Sequence, residues 1–91
     1  MPVVVTVPGN ETIPFIDVAE LERLLACEPL DRASGNAIRN AAPGETLFAV
    51  LDEDFAEKSG IASFVVSANK DEAEAKIALS VQRRRKMTTT S

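Results

Sequence analysis

The sequence contains no histidine, tyrosine or tryptophan among its 91 residues. Without histidine, Ser-His-Asp and Cys-His catalysis are excluded, and so are sites in which histidine binds zinc, haem or copper. The four glycines stand apart, so neither GxGxxG nor GxxxxGK[ST] is present to cradle a phosphate. A domain of this size also has little room for a closed cavity that shifts a pKa. We therefore expect a protein that is not an enzyme and that uses no metal or other cofactor.

Long hydrophobic runs are absent as well, since the longest, LFAVL, has five residues. A run of this length cannot span a bilayer, so we expect no membrane contact of that kind. The first ten residues lack a basic segment followed by an extended apolar stretch, so we expect no signal peptide. The expected location is the cytoplasm of a cell or of an infected host, or a virion.

Cysteine occurs once, at Cys27, so the sequence offers no partner for an internal disulfide. The neighbours Leu24, Leu25 and Ala26 are apolar. They predict a buried or half-buried thiol that packs as a small hydrophobic group. A reactive or intermolecular cysteine is the alternative.

The composition, with 45% hydrophobic and 26% charged residues, is typical of one small globular domain. Residue patterns predict an α+β domain over residues 1–86, followed by a polar C-terminal tail at 87–91. A short mixed sheet of about three strands would pack with two to three helices, in the order β-α-α-β-(short α)-β-α. Strands are expected at 2–7, 46–51 and 61–68, helices at 17–28, 31–42 and from 69 onward, a short helix within 52–60, and an extended or irregular segment at 11–16.

Charge is distributed unevenly along the chain. Residues 1–82 hold six Lys or Arg against fourteen Asp or Glu, a net charge of −8, whereas residues 83–91 carry +4. The positive charge is concentrated in four consecutive residues, Arg83, Arg84, Arg85 and Lys86. Cations at the end of a helix interact with its exposed carbonyls, which is the simplest interpretation. The alternative is a docking segment for an acidic partner.

The composition argues against nucleic acid as a partner. The acidic part of the chain, residues 1–82, repels the phosphates of a nucleic acid. Proteins that bind single strands usually stack exposed aromatic rings on the bases, and the aromatic residues of this chain are four phenylalanines. A peripheral membrane contact would need an apolar group beside the cations, and Met87 alone does not supply it. We therefore expect protein partners, within a larger homo- or hetero-oligomeric assembly.

A second charged cluster, Asp52, Glu53, Asp54 and Glu57, lies between two predicted strands. Its simplest interpretation is a short helix capped by Asp52, because acids are stabilised at a helix N-terminus. The spacing does not match a calcium-binding loop, since positions 5 and 6 would be Ala56 and Glu57. An acidic patch that binds a partner, including the basic segment of a neighbouring copy, is the alternative.

The first strand is rich in β-branched residues, and Val3, Val4 and Val5 are predicted to form a strand edge to which a partner strand can pair. Together with the basic segment, this favours a non-enzymatic structural or accessory protein that docks in multiple copies on a larger assembly. A virion component, such as a capsid decoration or a head or tail accessory protein, is one concrete form. The alternative is a small acidic regulator or inhibitor, antitoxin-like or mimicking nucleic acid, that binds an effector protein or nucleic acid.

Overall fold

The computed structural model describes residues 2–89, and their side chains through Met87. It is an α+β domain with one four-stranded mixed sheet and four helices. In chain order the elements are β1 (Val3–Val7), β2 (Glu11–Phe15), α1 (Val18–Leu25), α2 (Arg32–Arg39), β3 (Thr46–Leu51), α3 (Glu53–Ser59), β4 (Phe64–Ser67) and α4 (Lys70–Thr89). The predicted fold class is confirmed, although the strands number four instead of about three.

The additional strand is β2, in the segment for which the sequence left an extended or irregular structure open. It forms a hairpin with β1 through a turn at Pro8-Gly9. The Asn10 N–H donates to the Val7 carbonyl at 3.0 Å, and Gly9 adopts φ +98°. Proline followed by a residue with positive φ is the pattern of a type II turn, whose third position favours glycine.

The sheet order is β2-β1-β3-β4, with β1 antiparallel to β2 and parallel to β3, and β3 antiparallel to β4. The prediction that Val3, Val4 and Val5 form an edge strand is therefore wrong. The Val4 N–H donates to the Glu45 carbonyl beside β3 at 3.0 Å, and the β2 hairpin occupies the other side of β1. The parallel pairing with β3 joins residues about 40 positions apart, which local sequence patterns do not reveal.

Both true edges of the sheet are protected. Because Val4 faces β3, the alternation of an antiparallel pair directs the backbone groups of Thr12 and Pro14 away from β1, toward the outer edge of β2. Pro14 has no N–H there that could bind another strand, and proline on an edge strand commonly prevents such pairing. At the opposite edge, the Val66 N–H donates to the Ser34 hydroxyl of α2 at 2.9 Å.

The core lies between one face of the sheet and the helices α1 and α2. Its buried side chains come from alternate strand positions and from the inward sides of both helices: Val5, Phe15, Leu21, Ile38, Leu47, Ala49 and Val66. The two helices begin where the sequence predicts, since Asp17 accepts from the Glu20 N–H and Asp31 from the Ser34 N–H, each at 2.9 Å. Asp31 thus caps α2, and the Ser34 hydroxyl accepts a hydrogen bond from β4.

The helix α4 packs against β3 and β4. Asn69 caps it, accepting from the Glu72 N–H at 3.2 Å. Its inward side carries the fully buried Ala73 and the half-buried Ile77, Ser80, Val81 and Arg84. The helix continues through Thr89, so residues 87–89 extend it; Thr90 and Ser91, the end of the expected tail, lie outside the described residues. None of the helices in the described part of the chain is long and apolar enough to cross a membrane.

Candidate interaction site on the C-terminal helix

The acidic cluster and the basic segment meet within one chain. The guanidinium of Arg84 lies between two carboxylates at the start of α3, binding Asp52 through Nη2 and Asp54 through Nη1. These residues are about 30 positions apart in the sequence. A guanidinium presents several N–H donors in a fixed plane, so its two terminal nitrogens can each bind a different carboxylate. We call Asp52, Asp54, Phe55, Lys58 and Arg84 the Arg84 cluster.

Contacts within α3 also hold the two carboxylates in position. Asp52 is only 5% exposed and accepts the Phe55 N–H at 3.0 Å, so it caps α3 as the sequence predicts. Lys58, one helical turn after Asp54, lies 3.3 Å from it. The Arg84 guanidinium also lies 5.5 Å from the centre of the Phe55 ring, within the range of a cation–π contact.

The cluster shifts the acid–base properties of two of its members. Partial desolvation acts to raise the pKa of Asp54, but hydrogen bonds and charge from Lys58 and Arg84 outweigh it and hold the pKa below its ordinary value of 3.8. The hydrogen bond to Asp52, followed by the one to Asp54, raises the pKa of Arg84. Both shifts favour the charged forms of Asp54 and Arg84.

The four acids of the turn between β3 and β4, which are Asp52, Glu53, Asp54 and Glu57, therefore separate into two pairs. Asp52 and Asp54 bind Arg84 of α4, whereas Glu53 and Glu57 are exposed. Among residues 2–89, no group of three or more Asp, Glu or Cys side chains is arranged to hold a metal ion. The sequence left open that the acidic turn receives the basic segment of a neighbouring copy. In the structure it receives Arg84 of its own chain.

The basic segment is likewise divided. Arg84 faces the sheet, while Arg83, Arg85 and Lys86 are exposed on an ordered helix. Because successive helical residues are rotated by about 100°, Arg83 and Arg85 on either side of Arg84 project away from the neighbour that Arg84 faces. The segment is thus not a helix end alone, since α4 continues past it, and Arg84 has a structural partner that Arg83 does not share.

Phe55, Lys58 and Ser34 were not identified from the sequence as contributors to any site. The only signal for Phe55 and Lys58 was their position within the acidic turn, and Lys58 follows Asp54 at the i,i+4 spacing of helical ion pairs. Nothing in the sequence near Ser34 indicates that its hydroxyl meets a strand 32 residues away.

Cys27 lies between α1 and α2 and is half-buried, as predicted. Burial raises the pKa of the Cys27 thiol, and the nearby charge of Glu22 adds to this effect. The raised pKa disfavours the thiolate, which is the nucleophilic form. This arrangement favours the packing role over the reactive one.

No protein-family model, no curated protein and no solved structure matches this chain.

Proposed function

We propose that this protein is a non-enzymatic structural or accessory protein that docks in multiple copies on a larger assembly. The observation that carries the proposal is the way Arg84 fixes α4. Its ion pairs hold the helix on the domain in one rotational position, and this position presents Arg83, Arg85 and Lys86 to solvent. A fixed basic surface on an otherwise acidic molecule favours docking in one orientation against an acidic partner.

The partner that fits this surface is a protein. None of the four phenylalanines is exposed: Phe15 is buried, and Phe48, Phe55 and Phe64 are half-buried. The usual stacking platform for unpaired bases is therefore missing from the surface. The net charge of −8 over residues 1–82 further opposes a broad phosphate contact.

A virion component is one concrete version of this proposal. A capsid decoration or a head or tail accessory protein is small, lacks catalysis and occupies many equivalent positions on one particle. In this version the chain is made in the cytoplasm of the infected host and becomes part of the virion.

The acidic regulator is less well supported by the arrangement of the acids. A surface that mimics nucleic acid needs exposed carboxylates, and Asp52 and Asp54 are instead engaged by Arg84. Glu53 and Glu57 are the two acids of the turn that such a regulator would present.

The test is sedimentation of the protein from the cells or particles that produce it. We expect the wild-type chain to sediment with a much larger particle. The double variant Arg83→Gln/Lys86→Gln should remain near the top of the gradient, because it loses two exposed cations of the docking surface. The matched control Arg23→Gln/Arg32→Gln removes the same charge from exposed positions elsewhere and should sediment like wild type.

A wild-type chain that sediments only as a small species would overturn the proposal and move attention to Glu53 and Glu57. Equal losses in both double variants would show that net charge matters and that the surface on α4 does not. Detection should use the peptide bond, because the chain has no tryptophan or tyrosine.

A further inference from the structure

The second face of the sheet carries a helix over only part of its width. On the first face, α1 and α2 cover the core, whereas on the second face α4 packs against β3 and β4. The register places Val4, Thr6, Thr12 and Pro14 of β1 and β2 on this second face, and these side chains are half-buried or exposed. Four strands span about 14 Å, and a helix is about 10 Å wide, so β1 and β2 leave room for one more helix.

One flank of α4 borders this uncovered half. A groove of about 470 Å³ runs along it. Its helix side is formed by Glu74, Ile77, Val81 and Arg85, and its other side by the end of β3 and the start of α3, at Val50, Leu51, Asp52, Glu53 and Asp54. The other flank of α4, which carries Ser80 and Arg84, faces the connection between α1 and α2 and the start of β4. The flank beside the groove is therefore the one that a further helix would contact.

That flank carries a stripe of four residues. The stripe is complementary to a second copy of itself that runs in the opposite direction. Glu74, Ala78, Val81 and Arg85 follow one another at spacings of four, three and four residues, which is the spacing of a coiled-coil seam. Read in opposite directions on two helices, the stripe places Glu74 against Arg85 at both ends. In the centre it places the small Ala78 against Val81. Two parallel copies would instead place like charges together.

The same asymmetry holds for the whole helix. Residues 70–77 carry Asp71, Glu72 and Glu74 against Lys70 and Lys76, a net charge of −1, whereas the exposed bases Arg83, Arg85 and Lys86 lie in the last turns. An antiparallel partner of identical sequence matches each acidic half with a basic half. No other described helix has this arrangement, since α1, α2 and α3 are each eight residues or fewer.

We infer that the occupant of the uncovered half is α4 of a second copy of this chain, and that the protein forms a two-fold dimer through antiparallel α4 helices. Each helix then lies beside its counterpart, between its own β3–β4 and the β1–β2 half of the other copy. Ala75 and Leu79 lie on the outward side of α4, and Leu79 is 52% exposed. In the dimer they pack on Val4 and Thr6 of the second copy. The inferred dimer rests on the proposed function and deepens it, because the unit that docks in multiple copies is then a dimer.

The experiment is a charge-reversal series followed by sedimentation equilibrium at micromolar to submillimolar concentrations. Wild type should be a dimer. Glu74→Arg places two arginines together at each end of the stripe, and Arg85→Glu places two glutamates together at the same two ends. We expect each single variant to weaken dimerisation by roughly tenfold or more. The double variant Glu74→Arg/Arg85→Glu restores both attractive pairs and should dimerise like wild type.

An equimolar mixture of the two single variants provides the sharpest readout, because the heterodimer places one arginine against one glutamate at each end of the stripe. The mixture should therefore dimerise although each variant alone does so poorly. Positions 74 and 85 are about 16 Å apart along one helix, so rescue cannot arise within a chain. Far-UV circular dichroism should show that all variants fold, since both residues are exposed. Asp71→Asn/Lys70→Gln serves as a control on the same helix outside the stripe.

A wild-type chain that is monomeric over the whole concentration range would overturn the inference. So would single variants that dimerise as well as wild type, or a double variant that shows no recovery. Glu74→Arg keeps all three docking cations, Arg83, Arg85 and Lys86, and the docking variant keeps Glu74 and Arg85. A wild-type chain that sediments with the particle but is monomeric when purified therefore refutes only the dimer. A dimeric wild-type chain that does not sediment with a particle refutes only the proposed function.

Discussion

Arg84 is the residue on which the position of α4 depends. Its side chain is 28% exposed, and it neutralises Asp52, whose side chain is 7% exposed. Removing one partner from a nearly buried ion pair leaves the other charge without compensation, which costs more than the pair contributes. Arg83, one position earlier, is exposed to solvent and has no such role toward Asp52.

Arg84→Met is therefore expected to lower the free energy of unfolding by about 1–3 kcal/mol. Methionine keeps the length and apolar contact with Phe55 but removes the charge. Urea unfolding followed by far-UV circular dichroism measures the change. Arg83→Met, at the exposed neighbouring position, should stay within about 0.5 kcal/mol of wild type. Equal effects at the two positions would contradict the assigned role of Arg84.

Asp54 gives the cluster a pH dependence. Because its folded-state pKa lies below 3.8, ionised Asp54 stabilises the folded state above that value, and this contribution is lost as the pH falls through the folded-state pKa. We expect the urea midpoint of wild type to fall more steeply below about pH 4 than that of Asp54→Asn, which cannot titrate. Glu57→Gln, which removes an exposed carboxylate from the same helix, is the matched control. If the urea midpoints of wild type and Asp54→Asn fell equally with decreasing pH, Asp54 would be excluded as the origin of the acid sensitivity.

The Arg84 cluster also shows how far residue patterns lead toward a site. The sequence identified both charged clusters and the capping role of Asp52 because these depend on neighbours within one helical turn. It did not identify which of four consecutive cations faces the domain. That choice depends on the rotation of α4 about its axis, which the packing of Ala73 and Ile77 on the sheet sets.

At the scale of elements, local signals located the helices and β3 well. Asp17, Asp31 and Asn69 cap helices where expected, and the apolar run at 46–51 forms β3 with the predicted bounds. The strand β2 was not assigned because Thr12 and Pro14 interrupt its apolar pattern, and only pairing with β1 makes it a strand. The position of β1 inside the sheet follows from its parallel pairing with β3, which no neighbouring residue encodes.

The protection of β2 by proline leads to a prediction for this edge. Pro14→Val introduces an outward N–H on an exposed strand and should increase self-association on heating, measured by light scattering during a thermal ramp. Thr12→Val is the matched control, because it adds a β-branched apolar side chain on the same face without adding a backbone donor. A larger increase for Thr12→Val would assign the effect to side-chain hydrophobicity and remove the role given to proline.

At the scale of the whole molecule, the inferred dimer couples folding to concentration. A partner that binds only the folded chain raises the apparent stability by mass action. The thermal midpoint of wild type should therefore rise with protein concentration. That of Glu74→Arg should stay nearly constant over the same range. Differential scanning calorimetry at several concentrations makes the comparison, and a wild-type midpoint independent of concentration would contradict the dimer.

The two contacts that hold α4 have a consequence for how its length can vary. Ala73 and Arg84 lie eleven residues apart, close to three complete helical turns, so both face the domain at once. Inserting one residue between them would rotate Arg84 by about 100° away from its carboxylates. Inserting a whole turn would restore the rotation but carry Arg84 about 5.4 Å beyond them. The number of residues between Ala73 and Arg84 is therefore fixed by the fold, and insertions or deletions between them should be tolerated less well than substitutions.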